Sequence, residues 1–179
     1  PQWGGRSGYV DQAGDLQVRA SYEEGAPWVT VASNVKDFQL LDWRIAVLQH
    51  DGTLLLGEKK LAEPLRVVDH DVAAFQLTRN RLGILRSDGT LRMKEWGFHS
   101  QAVATAVQAF QVVDDRVGIL RTDTTLWVSQ GGTAQRFEKL ADRVQTFQLE
   151  RELVAYRQET DDGGSRLMLD HVSTTTATA

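Results

Sequence analysis

The chain has 179 residues, no cysteine, a net charge of −4 and a pI near 5.6. Disulfides and thiolate metal sites are excluded, and the acidic balance argues against a nucleic-acid partner, because phosphate binding needs a basic face. No run approaches the roughly 18 apolar residues that a membrane span requires.

In chain order, QWGGRSGYVDQAGDLQV at the N-terminus opens a pattern that the rest of the chain repeats. Gln2 and Trp3 read as the end of one strand, Arg6 opens the next, and Leu16 begins a third. FQLLDWRIAVLQHDGT at 38–53 restates the pattern in full. FQLTRNRLGILRSDGT follows at 75–90, FQVVDDRVGILRTDTT at 110–125, and a worn copy, FQLERELVAYRQETDDGG, at 147–164. Phe38, Phe75, Phe110 and Phe147 stand 37, 35 and 37 residues apart. With the N-terminal copy this makes five repeats of about 36 residues, and a fixed period of that size marks units that bury their apolar faces on their neighbours. One domain over 1–172 is expected, followed by a polar tail or linker at 173–179. A chain opening at Pro1 is also what a mature or excised fragment would show.

Within one repeat the period is that of strands. Arg81 to Arg86 is almost continuously apolar between its ends, Ser87-Asp88-Gly89 turns the chain, and Thr90 to Lys94 alternates. Asp-Gly supplies the positive φ of a tight hairpin turn. In the strand after the turn, Leu16, Leu54, Leu91 and Leu126 hold one core position and Val18, Leu56, Met93 and Val128 the next. Between them lie Gln17, Leu55, Arg92 and Trp127, which vary freely and read as an outward face. The strand before the turn has a small residue at Gly8, Ala46, Gly83 and Gly118, as close approach of another sheet demands. Each repeat ends on a further strand, such as VKDFQL at 35–40 or VAAFQL at 72–77. AVATAVQAF at 102–110 is rich in alanine, but its place in the repeat predicts strand. Four short strands per repeat fit the blade of a β-propeller, so the expected fold is all-β, a five-bladed β-propeller managing its edges by circular closure. The fifth repeat stops after Leu169, before a clear outer strand.

Catalytic and metal patterns are thin. The histidines fall at unrelated repeat positions, no nucleophile elbow or phosphate loop occurs, and Asp161-Asp162-Gly163-Gly164 reads as an elongated turn. Asp69-His70-Asp71 reads as a polar loop and not as a metal site. No cofactor, metal or enzymatic activity is expected. The recurring Arg6, Arg44, Arg81 and Arg116, and the recurring Gln2, Gln39, Gln76, Gln111 and Gln148, read as groups that satisfy a recurring backbone partner. Five equivalent ligand sites are the alternative.

The five tryptophans share no register, although core residues of a repeat would tend to. Trp127, Trp43, Trp96 and Trp28, with Arg92, are therefore the candidate ligand-binding residues, since an indole face stacks on sugar C–H groups while polar neighbours bind the hydroxyls.

RIAVLQHDGTLLL, RLGILRSDGTLRM and RVGILRTDTTLWV resemble the tectonin and tachylectin-like propeller repeats, some of which are attached to secreted bacterial proteins. The resemblance implies a secreted, non-catalytic recognition module, in the first place a multivalent carbohydrate-binding lectin whose partners are glycans. The alternative is a protein-interaction or targeting propeller of a larger secreted assembly.

Overall fold

A computed structural model describes residues 5–20, 24–58, 61, 63–129 and 136–171. Gln2, Trp3 and the tail at 173–179 lie outside the described residues. Among the described residues every regular element is a strand, and these strands form five antiparallel sheets of three, four, four, four and three strands. None of the described residues forms a helix long and apolar enough to cross a membrane.

The chain divides after Ser87 into two compact units. The first holds β1 (Arg6–Val10), β2 (Leu16–Ala20) and β3 (Val29–Ala32), then β4 (Val35–Leu41), β5 (Arg44–Gln49), β6 (Leu54–Gly57) and β7 (Arg66–Asp69), and ends on β8 (Val72–Leu77) and β9 (Arg81–Arg86). The second holds β10 (Leu91–Glu95) and β11 (Gln101–Ala104), then β12 (Val107–Val113), β13 (Arg116–Arg121), β14 (Leu126–Ser129) and β15 (Phe137–Ala141). It ends on the three-stranded sheet β16 (Val144–Leu149), β17 (Leu153–Glu159) and β18 (Ser165–His171). The alanine-rich stretch is thus two strands, β11 and β12, separated by a bend in which Ala106 takes φ 55°.

One hairpin recurs, and its turn fixes both its own sheet and the next. The turn aspartate accepts the backbone N–H two residues on: Ala13 to Asp11, Thr53 to Asp51, Thr90 to Asp88 and Thr125 to Asp123, at 2.8–3.1 Å. The residue at positive φ, Gly14, Gly52, Gly89 or Thr124, then offers its carbonyl to the first strand of the following sheet. Val35, Val72, Val107 and Val144 donate to those four carbonyls at 2.8–2.9 Å. At Gly52 a Cβ would lie 3.4 Å from both Asp71 Cα and Val72 N.

Within the first unit, Leu16, Val18, Val35, Ile45 and Val47 form a core between the first and second sheets, with Phe38 and Leu40 against it. Within the second, Leu120, Leu126 and Val128 pack with Val154, Tyr156 and Met168. The small position on the strand before the turn is where the next repeat's phenylalanine comes in. A Cβ on Gly118 would stand 2.7 Å from Phe147, and one on Gly8 would stand 3.3 Å from Phe38.

The position between the two core residues of the strand after the turn is not open surface. Leu55 packs against the Leu16 and Val18 cluster, and Trp127 is half-buried. At Leu55 the expected outward face is a packing face, whereas Gln17 and Arg92 make polar contacts there.

Candidate functional site

The recurring amides and guanidinium groups tie one repeat to the next. Gln39 donates from Nε2 to the Phe75 carbonyl at 3.2 Å and accepts the Leu77 N–H at 2.6 Å. Gln111 makes the same pair with Phe147 (3.0 Å) and Leu149 (2.7 Å). Arg6 donates to the Trp43 carbonyl at 2.5 Å, and Arg44 donates to the Arg79 carbonyl at 3.3 Å. Burial pulls the Arg44 guanidinium below its usual range, against the opposing charges of Glu58 and Asp42. These side chains are bound in structure, and the surface for a ligand must be sought elsewhere.

The two-residue turns that join the first two strands of a repeat are one place where side chains are presented to solvent. Asp42, at φ 53°, and Trp43 form one such turn. Aspartate tolerates this left-handed conformation better than most residues, so the next side chain is presented at the tip. The Trp43 indole is 37% exposed. The Arg44 guanidinium carbon lies 5.0 Å from its ring centroid, a cation–π distance that fixes the ring. Arg79 Nε stands 3.9 Å from Asp42 Oδ2. An exposed indole is thereby flanked by a carboxylate and guanidinium groups, all within the first unit. The second unit repeats the polar part: Asp114, at φ 51°, accepts from Arg151 Nε at 2.8 Å. There the tip residue is Asp115 and no aromatic ring is offered.

The other candidate residues have different surroundings. Trp28 precedes β3, meets Tyr9 edge to face at 4.9 Å, and lies under Arg19 at 4.7 Å. Beside this group Gln17 is held by Asp11 and Thr30, at 2.9 and 3.0 Å. Trp127 donates its indole N–H to Thr125 Oγ1 at 2.7 Å and carries Arg121 over its ring at 4.8 Å. Thr125 in turn donates to Asp123 at 2.6 Å, so this ring is locked into the hairpin. Arg92 donates to Ser100 Oγ (3.2 Å) and to the Ser100 carbonyl (2.8 Å), fixing the approach to β11. Trp96 is half-buried in the turn after β10. Asp69 is buried and accepts two hydrogen bonds from Arg86, which accounts for the acidic Asp69-His70-Asp71 loop. The described residues contain no cluster of three potential metal-ligating side chains.

The Asp42–Arg79 and Asp114–Arg151 pairs escaped the sequence analysis. Their 37-residue separations were visible in the alignment of repeats, but aspartate and arginine alternate at that turn and so do not recur in every copy.

No family model and no curated protein matches the sequence. Solved structures do. The N-terminal domain of Nup159 is similar at TM-score 0.62 and 14% identity over 92% of this chain. Prp20p from Saccharomyces cerevisiae, described with its binding to Gsp1p and histones, is similar at TM-score 0.62 and 9% identity over 92%. The computationally designed Ika8 protein is similar at TM-score 0.64 and 17% identity over 89%. The fold is of the propeller type. The chain spans about half the length of these structures, 55%, 55% and 54%.

Proposed function

We propose that the chain is a non-catalytic recognition module whose five sheets serve as five propeller blades, and that it binds carbohydrate at the Trp43 turn. The observation that carries this reading is the exposed Trp43 indole beside Asp42 and Arg79. A sugar ring stacks its C–H face on such an indole while the carboxylate and guanidinium bind hydroxyl groups. Asp51 and Asp123 are used in turns, and Asp69 is used by Arg86. The likeness to tectonin and tachylectin-like repeats and their secreted relatives supports the same reading. A shallow sugar site with a Kd on the order of 1 mM is worth only about −4 kcal/mol, so useful binding requires several linked sites, which strengthen it by roughly 10²–10⁴.

A protein-interaction or targeting role is the second reading. It is favoured by the structural similarity to Prp20p, whose described partners are proteins. A glycan array probed with the purified chain and with Trp43→Ala separates the two. The lectin reading expects glycan binding that falls at least tenfold in the variant while the melting temperature holds, because Arg6 bonds the backbone carbonyl of residue 43 and not its ring. A blank array, with a protein captured instead, overturns it in favour of the second.

A further inference from the structure

The charges around the Trp43 turn are not balanced. Arg6 holds the Trp43 carbonyl at 2.5 Å, Arg44 lies over the ring at 5.0 Å, and Arg79 stands at ion-pair distance from Asp42. All of these residues belong to the first unit. Two carboxylates act on Arg44, those of Glu58 and Asp42. Glu58 is itself paired with Arg66, so its charge is met there. Among the described residues the turn thus sets the Asp42 carboxylate against three guanidinium groups. The whole chain has a net charge of −4, so this positive excess is a local feature.

The hydrogen-bonding groups are as unequal as the charges. A sugar hydroxyl donates as well as accepts, whereas a guanidinium only donates. Asp42, the acceptor of the turn, faces Arg79 with Oδ2 and lies in the field of Arg44. The turn therefore offers donors in excess, and the group that matches it is a charged acceptor. A guanidinium fork takes a carboxylate through two parallel N–H bonds, which are stronger than neutral hydrogen bonds. Arg79 is the residue placed to do this. Its side chain is 81% exposed, whereas Arg44 is 8% exposed and lies between the Arg79 carbonyl and the indole. Arg44 thereby seats Arg79 beside the ring. The Asp42–Arg79 pair, at 3.9 Å on an exposed side chain, is weak beside a bidentate carboxylate contact.

We infer that the ligand of the Trp43 turn is an acidic sugar, a uronic or sialic acid residue whose ring stacks on the indole while Arg79 takes its carboxylate. The inference rests on the sugar-binding reading of this turn and deepens it. The second unit supplies the contrast. There Asp114 accepts from Arg151 at 2.8 Å and the tip residue is Asp115, so that turn presents a carboxylate where the first presents an indole, and it repels an acid.

A glycan array tests the inference when it carries uronic-acid and sialic-acid glycans, the methyl ester of each, neutral glycans, and sulfated chains without carboxylates. Binding to the acids is expected to exceed binding to their esters at least tenfold. Arg79→Gln is expected to lower binding to the acids at least tenfold, to leave the esters where they were, and to keep the melting temperature, because Arg44 bonds the backbone carbonyl of residue 79. Arg79→Lys, which keeps the charge and loses the fork, is expected to recover part of the binding. Neutral glycans or esters bound as well as the acids, or acids bound by Arg79→Gln as by the parent chain, overturn the inference and leave the sugar-binding reading standing. A signal confined to sulfated chains and undiminished in Trp43→Ala is charge attraction alone and also overturns it. A blank array removes the sugar site, and the inference with it.

Discussion

β14 and β18 lie in the same unit, follow the same kind of turn and pair with the same kind of strand, yet one is core and the other is surface. Leu126 and Val128 meet Val154 and Tyr156 across the sheet gap, and Leu167 and Leu169 are mostly exposed. The local sequence is therefore not what buries a strand here. In a repeat array each apolar face is written into the repeat itself, and whether it becomes core depends on the presence of the next repeat.

The largest effect that sharpens this contrast is Leu126→Ala against Leu167→Ala. The first leaves a cavity in a filled core and is expected to cost about 2–5 kcal/mol. The second, measured on dilute protein, is expected to stay within about 0.5 kcal/mol. Urea unfolding of the two variants checks both. Equal losses would erase the distinction between the faces. Next in size is Gly118→Val, where a Cβ would stand 2.7 Å from Phe147 and overpacking is expected to cost about 1–3 kcal/mol. Ala155→Val, at the same register on the exposed face of β17, is expected to cost less than half of that.

Much of this was legible in the residues. The strand period, the Asp-Gly turns and the small residue at Gly118 all came from spacing, because each answers a backbone demand that recurs with the repeat. The packing role of Leu55 against the preceding sheet and the locking of Trp127 into its hairpin were not legible, because a variable position looks exposed when its neighbours in space are unknown. The Trp43 site was visible only as one tryptophan among several. What distinguishes it is its place at the tip of a left-handed turn beside a guanidinium from the following repeat, and no single stretch of sequence contains both.

The recurring glutamine offers a smaller test. Gln111 satisfies one carbonyl and one N–H of the next strand, and Gln148, one repeat later, does not. Gln111→Ala leaves both groups without their partner and is expected to destabilise by about 1–3 kcal/mol. Gln148→Ala is expected to leave the melting temperature of dilute protein within a degree or so, on the order expected for a surface change. If Gln148 proves as costly as Gln111, it has a partner in solution, and the effect should then grow with protein concentration.

The smallest effect concerns the feature in which the two hairpins agree. Asp123, in the turn before β14, is held below the usual carboxylate range first by the Thr125 hydroxyl and then by the Thr125 N–H. Asp162, in the turn before β18, is lowered first by the Thr160 hydroxyl and then by the Gly164 N–H. A carboxylate whose folded pKa is depressed adds stability that is present above its unfolded value, about 3.9, and is lost as the pH falls through the folded value. Both turns should therefore weaken below about pH 4, regardless of whether the sheet they serve is covered. Asp123→Asn and Asp162→Asn each keep an acceptor oxygen but cannot titrate. Thermal melts from neutral pH into the acid range are expected to show a shallower loss of stability in each variant than in the parent chain, and by similar amounts. If only Asp123→Asn flattens the profile, the turn depends on the packing around it, and the hairpin is not the self-contained unit that its hydrogen bonds imply.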